Sequence, residues 1–77
     1  MVANVMLSPT GLKLVPVPDT ATLLVHAGVL AVTYLDVDGV TAEAWVFRRG
    51  EWREAWLQPA GTDERLQYVA AEVRQVD

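Results

Sequence analysis

The chain contains no cysteine, one histidine and one phenylalanine among its 77 residues. Without a thiol there is no disulfide to staple the fold, no thiolate for zinc and no cysteine nucleophile. That absence fits a reducing compartment. The single imidazole, His26, ends an apolar stretch, and nothing in the sequence brings Ser8 and an orienting carboxylate to it. A nucleophilic triad needs all three, and the chain also lacks a Gly-x-Ser-x-Gly elbow. No catalytic residue is therefore assigned, and the chain is not expected to be an enzyme. Phosphate-cradling glycine loops are missing as well. Asp36, Asp38, Gly39 and Glu43 open like a calcium loop. They lack the third oxygen ligand before the glycine and the terminal glutamate that such a loop requires. Neither a metal nor a cofactor is expected.

Long apolar runs are also lacking. The least polar stretch, residues 21–35, is interrupted by His26, Gly28 and Thr33 and falls short of the ~20 apolar residues of a membrane-spanning helix. The first basic side chain is Lys13, and Pro9 and Gly11 break the stretch before it, so no secretory leader pattern is visible. The expected location is cytoplasmic, or a virion. Positive charge is scarce, with six basic against ten acidic residues and a net charge of −4. Such a balance disfavours nonspecific binding to nucleic acid or to anionic membranes and suits a basic partner.

What is present reads as one globular domain over 1–77. The hydrophobic fraction is 52% with 21% charged, which is too apolar for a disordered chain and sufficient for a single small core. Residues 1–20 carry Pro9, Pro16 and Pro18 and read as an extended N-terminal arm. Leu12, Leu14 and Val15 within it are able to add an edge strand, where proline is tolerated.

Four runs rich in β-branched and aromatic residues follow, at about 22–26, 29–37, 40–48 and 51–58. Gly28, Asp38-Gly39 and Arg49-Gly50 punctuate them, which predicts an antiparallel β-meander of three to four strands. Two-residue turns would pair Val37 with Val40, Leu35 with Ala42, Leu30 with Phe47, Phe47 with Trp52 and Glu43 with Trp56. After Pro59 and Gly61, Thr62 is a candidate N-cap with Asp63 and Glu64 in the first turn. Leu66, Val69, Ala70, Val73 and Val76 then recur at helical spacing. The expected fold class is α+β, with a C-terminal α-helix at about 63–75 packed on one face of the sheet. The alternative is a small mostly-β barrel.

Period-two alternation sorts the meander into two faces. One is lined by small residues (Ala31, Ala42, Ala44, Ala55), for which the helix is the natural cover. The other gathers Tyr34, Trp45, Phe47, Trp52 and Trp56, with Arg48 and Arg49 at its turn. These seven residues are the candidate interface, because tryptophan and tyrosine dominate binding hot spots. The resulting expectation is a non-enzymatic protein–protein interaction or assembly subunit. Its partner would be itself, as a homo-oligomer, or a larger assembly such as a viral or phage particle. A small protein inhibitor fits the same features. The alternative is a small-ligand or single-stranded nucleic-acid binding module on the same aromatic face, where Arg48, Arg49 and Arg53 interleave with the aromatics. Glu43 and Glu54 fall among tryptophans in this register, but a chain this short builds no deep cleft for cutting a glycosidic bond between them.

Overall fold

A computed structural model describes residues 1–71. Those residues form seven strands and no helix: β1 (Val2–Leu7), β2 (Leu12–Pro16), β3 (Thr22–His26), β4 (Val29–Leu35), β5 (Thr41–Phe47), β6 (Trp52–Gln58) and β7 (Leu66–Ala70). They make two antiparallel sheets, one in the order β2-β1-β6-β7 and the other β3-β4-β5. Ala3, Val5, Val15, Ala55, Leu57 and Trp52 from the first sheet meet Leu23, Leu30, Val32 and Phe47 from the second in one core. The α+β expectation is thus overturned, and the small mostly-β alternative describes the chain better.

The C-terminal helix at 63–75 is replaced by β7, and its residues beyond Ala71 lie outside the described part. The reason is a one-residue irregularity. Leu57 pairs with Leu66 and Ala55 with Val69, so two residues of β6 run against three of β7. Gln67 takes a left-handed backbone, φ 50°, in the extra step. Such a bulge brings residues three apart onto the same face of a strand. The Leu66–Val69 spacing that mimics a helical stripe is therefore a bulged strand. The Gln67 side chain also ties the two sheets, its Oε1 accepting the Leu23 N–H at 2.9 Å.

The meander breaks at its second turn. Only Gly50 in the Arg49-Gly50 pair has positive φ, the pattern of a type II turn, whose twist splays flanking strands. Glu51 N donates to Arg48 O at 3.0 Å, closing the turn. The next rung is not made. The Arg48 N–H goes to the Glu51 carboxylate at 2.8 Å, and the Glu51 carbonyl accepts the Ser8 N–H at 3.0 Å. The chain is handed from β5 in one sheet to β6 in the other, where β1 and β7 flank it. The expected pairings of Phe47 with Trp52 and of Glu43 with Trp56 are accordingly absent. Residues 1–20 supply β1 and β2, and β1 lies inside its sheet between β2 and β6.

At the first turn the loop has three residues instead of two. Asp36 N donates to Val40 O at 2.9 Å and Gly39 N to Asp36 O at 3.0 Å, so Leu35 pairs with Thr41 instead of Ala42. A bulge at Ala44 takes up the extra residue, and the rungs from Val32–Trp45 to Leu30–Phe47 fall in the expected register. A third bulge, at Arg53, leaves Met6 opposite Glu54 and Leu7 opposite Trp52. Its effect on the tryptophans is decisive. Trp52 and Trp56 would share a face in a regular strand. With the bulge, Trp52 joins Ala55 and Leu57 in the core at 1% exposure, and Trp56 points out of the opposite side of the sheet.

Candidate functional site

Neighbouring strands are antiparallel within each sheet, and the Ser8–Glu51, Trp52–Gly28 and Arg49–Gly28 contacts gather every second connection at one end of the molecule, while Thr20 meets Leu35 at the other. The connections 8–11, 27–28 and 48–51 lie at one end. They carry Arg48, Arg49 and Glu51, with Arg53 just inside β6. The connections 17–21, 36–40 and 59–65 lie at the other and carry Asp19, Asp36, Asp38, Asp63 and Glu64 against Arg65. Among the described residues the charge is thus segregated, with a local arginine excess at one end.

At the arginine end a depression of about 340 Å³ is lined by Gly28, Arg49, Gly50, Trp52, Arg53 and Ala71. Local geometry holds every wall. Ala27 and Gly28 both have positive φ, which makes the tight β3–β4 turn, and the Gly28 carbonyl accepts the Trp52 indole N–H at 2.9 Å. The Arg49 side chain lies directly across Gly28, so close that a Cβ there would come within 2.8 Å of Arg49 Cγ. Arg53 is fixed from behind by its Nε–H to Leu7 O, 3.3 Å. Ala71 N closes the rim with a 2.7 Å bond to Arg53 O. Guanidinium groups stay charged at any physiological pH and present a planar fork of donors suited to carboxylate and phosphate. Glu51, the carboxylate next in sequence to Gly50, is engaged by the Arg48 amide. The arrangement can hold an anion. Among the described residues that line it there is no nucleophile or general base.

The seven residues singled out from sequence do not share a face. Phe47 and Trp52 are core residues. Tyr34 is half-buried near the aspartate end, on the rung with Ala42. Trp45 is 43% exposed on edge strand β5. Its ring stacks against Phe47 at 6.2 Å and carries the Lys13 ammonium 4.5 Å from its centroid. Trp56 is buried on the outer side of its sheet, under the Arg65 guanidinium at 4.0 Å and the stacked Tyr68 ring at 6.2 Å. Arg48 and Arg49 are exposed in the 48–51 turn. Of the seven, only Arg49 and Trp52 are brought together in the depression.

Gly28, Gly50, Arg53 and Ala71 complete it, and none of these four is among the seven residues the sequence singles out. The signal for Arg53 was its position between two tryptophans, but only the bulge turns that spacing into a site. Glu43 and Glu54 fall in different sheets. The Glu54 carboxylate accepts the Tyr68 hydroxyl at 2.6 Å, which raises the Tyr68 phenol above its ordinary range, with a smaller contribution from desolvation. The Asp36 carboxylate, the first oxygen of the calcium-like motif, is occupied by the amides of Asp38 and Val40. Among the described residues no three His, Asp or Glu side chains converge as a metal site would need. Nor is any helix there long and apolar enough to cross a membrane. Comparison of the chain with protein families, curated proteins and solved structures gave no significant match.

Proposed function

We propose that the chain is a non-enzymatic binding module whose ligand is an anionic group, a carboxylate or a phosphate, held at the arginine end above Trp52. The observation that carries this reading is the placement of two guanidiniums, Arg49 across Gly28 and Arg53 against Leu7 O, around one depression. The Arg53 Nε–H bond to Leu7 O and the packing of the Arg49 stem on Gly28 limit the freedom that binding would have to remove. The volume sits at the low end for small-molecule sites and suits a single anionic group with a short apolar attachment. An aromatic face acting as one broad interface fits the fold less well, since Phe47 and Trp52 are interior and Trp56 lies on the other side of its sheet.

Calorimetric titration with inorganic phosphate and with acetate tests the reading. Saturable binding that weakens with added sodium chloride, and is lost in both Arg49→Gln and Arg53→Gln, is the expected outcome. Binding that survives both substitutions, or no binding at all, would refute it. A single-stranded oligonucleotide titrated in parallel distinguishes the nucleic-acid reading, in which affinity would depend on Arg48 and Trp45 as well as on the depression.

A further inference from the structure

The two ends of the molecule have complementary shapes as well as opposite charge. At the aspartate end the 36–40 hairpin tip is held by its own bonds. Asp36 Oδ1 accepts from Asp38 N at 2.8 Å and from Val40 N at 2.9 Å, in addition to the two backbone bonds that close the loop. This consumes the Asp36 carboxylate, leaves Asp38 exposed, and holds Val37 completely exposed at the apex. A rigid tip that presents an apolar side chain beside a carboxylate is a ligand already in its bound shape. The depression at the arginine end offers what such a tip needs, the Gly28 surface over the buried Trp52 for the valine and the side chains of Arg49 and Arg53 for the aspartate.

We infer that the occupant of the arginine end is the Val37–Asp38 tip of a second copy of this chain, so that copies join head to tail. The inference rests on the anion-binding reading above and names its ligand. Charge complementarity between the ends supports it. Asp19, Asp36, Asp38, Asp63 and Glu64 on one copy would approach Arg48, Arg49 and Arg53 on the next, which steers encounter and fixes orientation. Such a contact is heterologous. It leaves one tip and one depression unused on every pair, so it propagates until a ring closes or a filament grows. Because one tip fills one small depression, each contact is weak, concentration-dependent and sensitive to salt.

Sedimentation velocity of the full chain over a wide concentration range at low salt tests this, with two variants. In one the tip is disabled (Val37→Ser with Asp38→Lys), at positions where the only bond in the tip is made by the Asp38 backbone N–H and not by a side chain. In the other the depression is disabled (Arg49→Glu). The native chain is expected to grow beyond a dimer as concentration rises, and to revert to monomer in high salt. Each variant alone remains monomeric, with association weakened at least ~10-fold. Mixed together, the two variants form one-to-one dimers and nothing larger, because the single intact tip meets the single intact depression. A native chain that stays monomeric throughout overturns the inference, and so does a mixture that stays monomeric while the native chain associates. The tip variant titrated with phosphate separates the two proposals. If it binds while the native chain remains a monomer, the anion site stands and the second copy is not its ligand. If it does not bind either, both fall.

Discussion

The two ends of this small β-protein are built in different ways. At the arginine end the connections brace one another: Ser8 N bonds to Glu51 O, Trp52 Nε1 bonds to Gly28 O, and Arg49 rests on Gly28. At the aspartate end the 36–40 tip bonds to itself, and the neighbouring 17–21 connection reaches only its root, where Thr20 Oγ1 bonds to Leu35 N and O. The difference teaches where a substitution is felt. A change in the braced end alters the core and the depression together, because Trp52 belongs to both. A change in the self-contained tip is local. The same contrast suits a receptor at one end and a presented ligand at the other, since a receptor needs fixed walls and a ligand only a fixed apex.

The largest expected effect is at Trp52, which joins the core to the arginine end. Replacing a fully buried tryptophan with alanine creates a cavity and costs about 3–5 kcal/mol. It also frees the Gly28 carbonyl from its indole partner. Chemical denaturation of Trp52→Ala is expected to show that loss, with the variant largely unfolded at 37 °C, given the modest stability of so short a chain. Stability close to native would mean that the arginine end is not braced through this residue.

A finer comparison uses two glycines. Gly28 and Gly39 have nearly the same backbone, φ 81° and 77°, and alanine is strained at both by about 1 kcal/mol. Their surroundings differ. A Cβ at Gly28 meets Arg49 Cγ at 2.8 Å, and one at Gly39 meets nothing within 4 Å. Gly28→Ala must displace Arg49 and is expected to cost the larger amount, by roughly 1 kcal/mol over Gly39→Ala, and to weaken phosphate binding as well. Equal losses, or phosphate binding unaffected by Gly28→Ala, would show that Arg49 is not held by that contact.

The smallest effect belongs to neither end. Tyr68 is held protonated by its bond to Glu54, so its folded phenol is raised above the unfolded one. Its contribution to stability is present below the ordinary phenol range and is lost as pH rises through the raised folded value. Alkaline ultraviolet titration should show late ionisation of one tyrosine in the native protein. That step should disappear in Tyr68→Phe and move down in Glu54→Gln, with the depression unaffected in both.

Much of the strand content is legible in the sequence, and the sheets are not. The runs at 22–26, 29–37, 40–48 and 51–58 correspond to β3, β4, β5 and β6 because β-branched residues, aromatics and turn glycines are local signals. What escapes is each single-residue irregularity. The bulge at Arg53 sends Trp52 inward and Trp56 outward, whereas plain alternation puts them on one face. The bulge around Gln67 makes Leu66 and Val69 look like the stripe of a helix. The Arg49-Gly50 turn reads as a hairpin, but the Arg48 N–H goes to the Glu51 carboxylate and the Glu51 carbonyl to Ser8. Ser8 is a long way off in sequence, so no local pattern reveals that bond. The depression inherits this difficulty, since it needs Gly28, Arg49 and Arg53 from connections that meet only once β6 has left β5.

The three tryptophans report on three separate places: Trp52 under the arginines, Trp45 on the edge of β5, and Trp56 beneath Arg65 and Tyr68. One nitrogen–proton correlation spectrum resolves their indole N–H signals, and phosphate added stepwise to the native chain tests the anion site most directly. The expected result is a saturable shift of the Trp52 indole together with the Arg49 and Arg53 Nε–H signals, while Trp45 and Trp56 stay in place. A shift confined to Trp45 or Trp56, or no saturable shift of Trp52, would contradict it.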